Sequence, residues 1–250
     1  MKRRILITIE YKGGAYCGWQ IQKGGVSVQQ VLTECLEKIC GHKINLCGSG
    51  RTDAGVHAMA QYAHFDCCYD SIPDDKFPQC ANALLPDDIR VICSRRVDGG
   101  FHARFDAKKK IYLYKMYSGA TQSPVREGLY TYVPFELDIE KMNAACGYIT
   151  GRQDFSAFCA AGSSVKDCVR EIYSAEVTQK QDGFYREYFF EICGSGFLRN
   201  MVRIIAGTLI ETGRGKIQPG CMGEIISGKI RVKAGYTAPP QGLYLMNVIY

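Results

Sequence analysis

The 250-residue sequence contains no apolar run approaching the roughly 18 uncharged residues needed to cross a bilayer. It opens with the basic segment MKRR, but Thr8 and Glu10 interrupt the apolar residues that follow, unlike the apolar centre of a secretory signal. We therefore expect no membrane association and no export signal, with the cytoplasm as the compartment.

Metal-binding and disulfide patterns are also missing. The chain has 13 cysteines and 4 histidines, but no CxxC pair and no histidine at zinc-ligand spacing from cysteines. An odd number of scattered cysteines favours reduced, packed thiols over disulfides. His57, His64 and His102 lie beside predicted strands without a recognisable Ser or Cys nucleophile, so we expect them to form structural hydrogen bonds. No metal ion is predicted.

Nucleotide-cofactor motifs are absent as well, since no GK[ST] phosphate loop occurs and no GxGxxG opens a helix. The net charge of +6 is modest, but basic residues cluster at Lys2, Arg3 and Arg4, at Lys108, Lys109 and Lys110, and at Lys229, Arg231 and Lys233. Such clusters fit either a polyanion such as RNA or an ordinary solvated surface.

The spacing of hydrophobic residues along the chain predicts its strands and helices. Ile5, Ile7 and Ile9 alternate with Leu6, Thr8 and Glu10, which is typical of a half-buried strand. Ser27 and Gln30 form a candidate capping box for a helix that ends at Gly41. Further helices are predicted over 74–85, with Pro78 in the first turn, and over 138–149. Another helix carries an apolar stripe from Leu198 to Leu209, which places Arg199 and Arg203 together on an adjacent face.

A similar inventory of strands and helices occurs twice, over 1–106 and over 107–250. The predicted fold class is α+β, with two related α/β halves. Each half has a mostly antiparallel sheet flanked by helices, and an active-site cleft is expected between them around residues 100–110.

The run GSGRTDAGVHA, residues 48–58, places three glycines around Arg51 and Asp53 between two predicted strands. Glycine permits backbone conformations barred to other residues and lets a ligand approach the chain closely. The run therefore predicts either a functional loop that presents Arg51 and Asp53, or a plain structural turn.

GSGRTDAGVHA resembles the signature of the tRNA pseudouridine synthase A family, and the resemblance extends along almost the whole chain. Six further blocks match in the same order: GWQIQ (18–22), FHARFDA (101–107), YLY (112–114), DFSAF (154–158), GFLRNMVRIIAG (196–207) and GLYL (242–245). The resemblance implies the pseudouridine synthase fold. It also implies a homodimer that isomerises uridine to pseudouridine in the anticodon stem-loop of tRNA, at positions 38 to 40.

The resemblance assigns roles to five residues. Asp53 corresponds to the catalytic aspartate, Tyr112 to the active-site tyrosine, and Arg203 to the basic residue that pairs with the aspartate. Arg51 corresponds to the arginine that flips the base. Leu243, in the GLYL block, corresponds to a substrate-binding residue, as do Arg51 and Tyr112.

Pseudouridine formation breaks the bond from uracil N1 to the ribose, turns the base and rejoins it through C5. The reaction is redox-neutral, so no cofactor is expected. A carboxylate can act as nucleophile or as base, and an adjacent arginine would lower its pKa by about 1 to 3 units. Two alternatives remain: an RNA-binding module that performs no chemistry, and a metal-dependent hydrolase using Asp53, for which the flanking sequence supplies few further carboxylates.

Overall fold

The computed structural model describes residues 2–68, 71–160, 165 and 167–250. These residues form ten strands and five α-helices. The strands are β1 (Arg3–Tyr11), β2 (Cys47–Gly48), β3 (His57–Cys67), β4 (Ile89–Val97), β5 (Lys109–Ser118), β6 (Thr131–Val133), β7 (Gly151–Asp154), β8 (Val169–Asp182), β9 (Tyr185–Gly194) and β10 (Leu243–Ile249). The helices are α1 (Val28–Cys40), α2 (Phe77–Asn82), α3 (Ile139–Cys146), α4 (Met201–Gly213) and α5 (Cys221–Gly228). Within the described ranges, no helix has the length and apolar character required to cross a membrane.

The chain forms two compact units, Met1–Lys108 with Tyr244–Tyr250, and Lys109–Leu243. In the first unit the strands lie in the order β4-β1-β3-β10. β1 is antiparallel to both β3 and β4, whereas β10 runs parallel to the start of β3, with Tyr244 opposite His57. The last strand of the chain thus joins the first unit, whereas the order of elements along the sequence assigns it to the second half.

The core of the first unit forms around β1 and α1. Ile5, Ile7 and Ile9 are buried as predicted, but Leu6 and Thr8 on the opposite face are also buried, so both faces of β1 are covered rather than one. Helix α1 begins at the predicted cap, where the Gln30 N–H donates to Ser27 Oγ at 3.2 Å.

In the second unit, β7, β8, β9 and β5 form a continuous antiparallel sheet, and β6 pairs with β5 in parallel. Helix α3 packs against β8 and α4. It begins at the predicted residue, because Asp138 caps it by accepting the Lys141 N–H at 3.1 Å. The strands of each unit are mostly antiparallel and are accompanied by helices, so the predicted α+β class is confirmed.

Two helices are shorter than predicted. α2 covers only Phe77–Asn82, with Pro78 in its first turn as expected, and α3 ends at Cys146 rather than near Ile149. Proline lacks the N–H that a longer preceding helix would need, so the helix starts immediately before it.

Candidate functional site

The loop that carries Asp53 begins where β2 leaves its pairing with β3. The Ser49 N–H donates to the Tyr62 carbonyl at 2.7 Å, and the Gln61 amide donates to the Gly50 carbonyl at 2.9 Å. Ser49 Oγ also hydrogen-bonds the Gln61 side chain. Because Gln61 and Ser49 are fully buried, these bonds fix the first residues of the loop to the sheet.

The GWQIQ segment supports the middle of the loop. The Trp19 N–H donates to the Thr52 carbonyl at 3.1 Å, and Thr52 Oγ1 lies 2.8 Å from the Tyr11 hydroxyl. Gly18 has φ +106°, and a Cβ there would lie 2.6 Å from the same carbonyl. A Cβ at Gly48 would lie 2.5 Å from the Trp19 ring. Glycine is therefore required at both positions, since the loop backbone lies directly on the Gly18–Trp19 segment.

A tight turn closes the loop behind Asp53. The Val56 N–H donates to the Asp53 carbonyl at 3.2 Å, and Gly55 has φ +79°. A Cβ at Gly13 would lie 2.0 Å from the Val56 carbonyl oxygen, so the Gly13 backbone touches the far side of the turn. The Gly13 N–H donates to Nδ1 of the buried His57 at 3.1 Å.

Asp53 is half-buried within this framework, whereas Arg51 is exposed. Arg51 Nε donates to Gln20 Oε1 at 3.2 Å. The Gln20 amide in turn donates to Gln29 Oε1 at 2.8 Å, and the Gln29 amide donates to the Leu46 carbonyl at 2.9 Å. This relay of side-chain amides orients Arg51 from the start of α1. Sequence reasoning assigned no role to Gln20 or Gln29, although GWQIQ was recognised as a block.

Tyr112 lies in β5 of the second unit, opposite Ile192 of β9. Its side chain is buried, and its ring meets Phe197 edge-on at a centroid distance of 5.1 Å. Tyr114, two residues along the strand, is fully buried and has a structural role. Its hydroxyl lies 2.6 Å from Thr131 Oγ1 and donates to the Pro239 carbonyl at 2.9 Å. Burial raises the pKa of Tyr114 above its ordinary value.

Arg203 occupies the first turn of α4. Its Nε donates to the Ala238 carbonyl at 2.7 Å, and Nη1 donates to Asn200 Oδ1 at 3.1 Å. Arg199 does not share this helical face, contrary to expectation. Asn200, with φ +60°, precedes the helix in a left-handed conformation, so Arg199 lies outside α4 and is exposed.

The segment that holds the Arg203 guanidinium is itself fixed to α4. A Cβ at Gly207 would lie 2.0 Å from the Tyr236 carbonyl oxygen, and the Gly235 N–H donates to Thr208 Oγ1 at 2.8 Å. Leu243 follows a few residues later and is buried at the start of β10. Asp53 and Arg51 therefore lie in the first unit, and Tyr112, Arg203 and Leu243 in the second.

The histidines and the first basic cluster have structural contacts. His64 Nδ1 accepts the Ala103 N–H at 3.1 Å and His102 Nδ1 accepts the Arg104 N–H at 3.2 Å, which confirms the predicted hydrogen-bonding role. Lys2 and Arg4 pair with Asp66 at 3.0 and 2.8 Å. The hydrogen bond from Arg4 holds the pKa of Asp66 at about 2. These cations neutralise a carboxylate of β3, which favours the structural interpretation of this cluster over RNA binding.

Comparison with known proteins identifies similar sequences over the whole chain. A family described as "tRNA pseudouridine synthase" matches residues 7–106 and 145–250, ranges that include Arg51, Asp53, Arg203 and Leu243 but not Tyr112. A protein of Ruminiclostridium cellulolyticum named "tRNA pseudouridine synthase A" is 47% identical over 99% of this chain and 100% of its own. Proteins of the same name from Thermoanaerobacter sp. and Bacillus licheniformis are 44% and 45% identical, over 99% of this chain and 100% and 99% of theirs.

Among solved structures, that of a Cbf5-Nop10-Gar1 complex aligns over 98% of this chain and 48% of that chain. The TM-score is 0.39 and the sequence identity 12%. A likeness at this level carries no argument about function.

Proposed function

The chain belongs to the tRNA pseudouridine synthase family, and on that premise we propose that it isomerises uridine to pseudouridine in the anticodon stem-loop of tRNA, at positions 38 to 40. Asp53 is the proposed catalytic carboxylate. The observation that carries the proposal is the construction of the Asp53 loop. Hydrogen bonds to the sheet and close contacts at Gly13, Gly18 and Gly48 hold this loop in one conformation. Catalytic groups need such fixed positions, because small displacements lower the rate steeply.

The reaction requires few groups from the protein. The bond from N1 to the ribose breaks, C5 bonds to the ribose in its place, the C5 proton leaves to solvent and N1 gains a proton. The substrate is neither oxidised nor reduced. The reaction steps therefore need only side chains that bond to the substrate or transfer protons. Asp53 supplies the carboxylate that acts as nucleophile or base.

Tyr112 and Arg51 are proposed to hold the target base. A uridine in RNA must leave its stack before a side chain can reach it, at a cost of a few kcal/mol. The exposed Arg51, oriented by Gln20, is suited to occupy the vacated space. Tyr112 acts either by stacking its ring on the uracil or by moving a proton through its hydroxyl.

The experiment that tests this proposal separates binding from conversion. Wild type, Asp53→Asn, Arg51→Ala and Tyr112→Phe are incubated with unmodified tRNA. Affinity is measured by filter binding, and pseudouridine by chromatography of the digested nucleosides. Asp53→Asn should bind tRNA and form no pseudouridine, whereas Arg51→Ala should bind tRNA and convert uridine slowly.

Activity retained in Tyr112→Phe assigns stacking to that residue, and lost activity assigns proton transfer. A wild type that binds tRNA without conversion would establish the RNA-binding module instead.

Arg203 is proposed to keep the Asp53 carboxylate ionised. Loss of the guanidinium in Arg203→Gln should raise the pKa of the carboxylate, so activity should be lost at a higher pH than in wild type as the pH falls. Arg199→Gln, which removes an exposed arginine outside the helix, is the matched control. The measurement is kcat/KM for pseudouridine formation from pH 4 to 8. If kcat/KM of the two variants fell over the same pH range on the acid side, Arg203 would not be the residue that keeps the Asp53 carboxylate ionised.

A homodimer acting in the cytoplasm is part of the same proposal, because the family resemblance implies two subunits that grip one tRNA. Sedimentation velocity at working concentrations tests the assembly. A species of twice the 27.9 kDa chain mass is expected, and monomer alone contradicts it.

A further inference from the structure

Cys40, His42 and Cys67 converge at one end of the first unit, although the sequence separates Cys67 from the other two. Cys40 is the last residue of α1, and Cys67 is the last residue of β3. The ligand atoms of the three residues all lie within 4.8 Å of one another. No zinc-ligand spacing reveals this group, because only the fold brings β3 to the end of α1.

From this geometry we propose that Cys40, His42 and Cys67 bind one thiophilic divalent cation, Zn²⁺. Two thiolates bound to one tetrahedral Zn²⁺ at about 2.3 Å are about 3.8 Å apart. The Cys40 and Cys67 sulfurs are 3.7 Å apart. Both cysteines are buried and His42 is half-buried, so the site is closed on its sulfur side and open to solvent beside the imidazole. Water completes the coordination there.

The tautomer of His42 suits a metal ligand. Its Nδ1 lies 2.9 Å from the Lys43 carbonyl oxygen, which can only accept, so Nδ1 carries the proton. Nε2 accepts the Cys68 N–H at 3.2 Å and therefore presents a lone pair beside Cys67. The cation takes this lone pair in place of the amide. A ligating histidine commonly donates its other ring N–H to a backbone carbonyl, as His42 does.

A second cluster, Cys47, His64 and His102, provides a contrast. There Nδ1 of each histidine accepts a backbone N–H, from Ala103 and Arg104 respectively. Each neutral ring therefore carries its proton on Nε2, and its one lone pair, on Nδ1, already accepts a backbone N–H. A cation there would displace two such hydrogen bonds, whereas at the Cys40 cluster it displaces one. The hydrogen bonds thus favour the Cys40 cluster over the His64 cluster.

Charge balance also favours the site. Binding releases one proton from each thiol to solvent, and the two thiolates neutralise the 2+ ion beside a neutral imidazole. The nearby cation, Arg3, is opposite Cys67 on β1 and pairs with Asp74, so a carboxylate offsets its charge.

The site lies at the opposite end of β3 from the turn that follows Asp53. His57, which ends that loop, and Cys67 are ten residues apart on β3, or about 33 Å at 3.3 Å per residue. The cation therefore joins the end of α1 to the end of β3 and takes no part in the reaction.

Metal analysis and cobalt spectroscopy of the full-length protein test the site. Protein purified without chelator should contain one Zn²⁺ per chain by elemental analysis. After removal of zinc, titration with Co²⁺ should produce thiolate-to-cobalt charge-transfer absorption and tetrahedral visible bands that saturate at one equivalent. His42→Ala should weaken Co²⁺ binding at least 10-fold, and Cys40→Ala, which leaves only the Cys67 thiolate, should weaken the charge-transfer band at saturation.

Two control variants show whether the loss of cation binding is specific to the Cys40 cluster. Cys35→Ala removes another buried thiol of α1, and His102→Ala disrupts the second cluster; both should still bind one equivalent with the wild-type spectrum. His42 is half-buried, so His42→Ala remains informative if the cysteine variants fail to fold. Absence of stoichiometric binding, equal affinity in His42→Ala, or a disulfide that lowers the count of free thiols from 13 to 11 would overturn the proposal.

Discussion

At the scale of single residues, Gly18 supports the position of Asp53 most directly, because its backbone touches the Thr52 carbonyl. Gly18→Ala would combine a positive φ with a Cβ 2.6 Å from that oxygen. We expect the substitution to displace the loop and to lower the single-turnover rate constant for pseudouridine formation at least 10-fold, since catalytic groups tolerate little displacement. Single-turnover kinetics with tRNA measure the effect.

Gly24→Ala is the matched control for this substitution. Gly24 also has a positive φ, +93°, but a Cβ there would meet nothing within 4 Å. Its expected effect is backbone strain of about 1 to 2 kcal/mol without loss of catalysis. Equal kinetic losses in the two variants would show that strain, rather than the contact with Thr52, is responsible.

His64 gives the first unit a predictable pH dependence. Burial, followed by the Arg4 and His102 charges, lowers the pKa of His64 to about 4. Because the unfolded chain binds this proton more tightly than the folded protein, stability falls as the pH drops from about 6.5 to 4. His64→Asn removes the imidazole that titrates, but its amide oxygen can still accept the Ala103 N–H. This variant should therefore not show the loss of stability at low pH that His64 causes.

Urea unfolding of both proteins at pH 7 and pH 4.5 measures this effect. Relative to wild type, His64→Asn should gain about 2 kcal/mol of unfolding free energy on going to pH 4.5. The carboxylates titrate alike in both proteins and cancel. A difference between the two proteins that does not change with pH would contradict the prediction.

At the scale of elements, local signals predicted the helices that have clear caps and failed where the backbone departs from regular geometry. Ser27 and Asp138 mark the starts of α1 and α3, because their side chains accept from the first turn. The apolar stripe from Leu198 gave no sign that α4 begins only at Met201. Asn200 adopts a left-handed conformation, and side-chain periodicity does not report backbone dihedral angles.

Strand β10 shows a second limit of sequence reasoning, since pairing partners distant in the chain leave no local signal. Tyr244 stacks on His57 with ring centroids 4.6 Å apart, and the Lys108 N–H donates to the Ile249 carbonyl at 2.8 Å. Deletion of residues 244–250 should therefore destabilise the first unit and increase amide exchange in β3 and around Ala103. Hydrogen exchange with mass spectrometry measures this change.

Tyr250→Phe is the control for the deletion. It removes the hydrogen bond from the Tyr250 hydroxyl to the Ala103 carbonyl and keeps the strand. Increased exchange should then stay confined to the segment around Ala103. Unchanged protection of β3 in the deletion variant would show that β10 does not stabilise the first unit.

At the scale of the whole molecule, the sequence was sufficient to predict the α+β class and the family, whereas the contacts that build the site required the structure. Asp53 and Arg51 stand out in one glycine-rich loop. Their supports, Trp19 and the Gln20–Gln29 relay, come from an earlier segment that contains no catalytic motif of its own. The Cys40 cluster likewise depends on the meeting of a helix end and a strand end.

The most direct test of the central claim uses tRNA that carries tritium at uridine C5, incubated with wild type and with Asp53→Asn. Replacement of the C5 proton is intrinsic to pseudouridine formation, so wild type should release one tritium to water for each uridine converted. The variant should release none while it still binds the RNA. Absence of release by wild type from unmodified tRNA, or equal release by Asp53→Asn, would contradict the assignment of Asp53 as the catalytic carboxylate of a pseudouridine synthase.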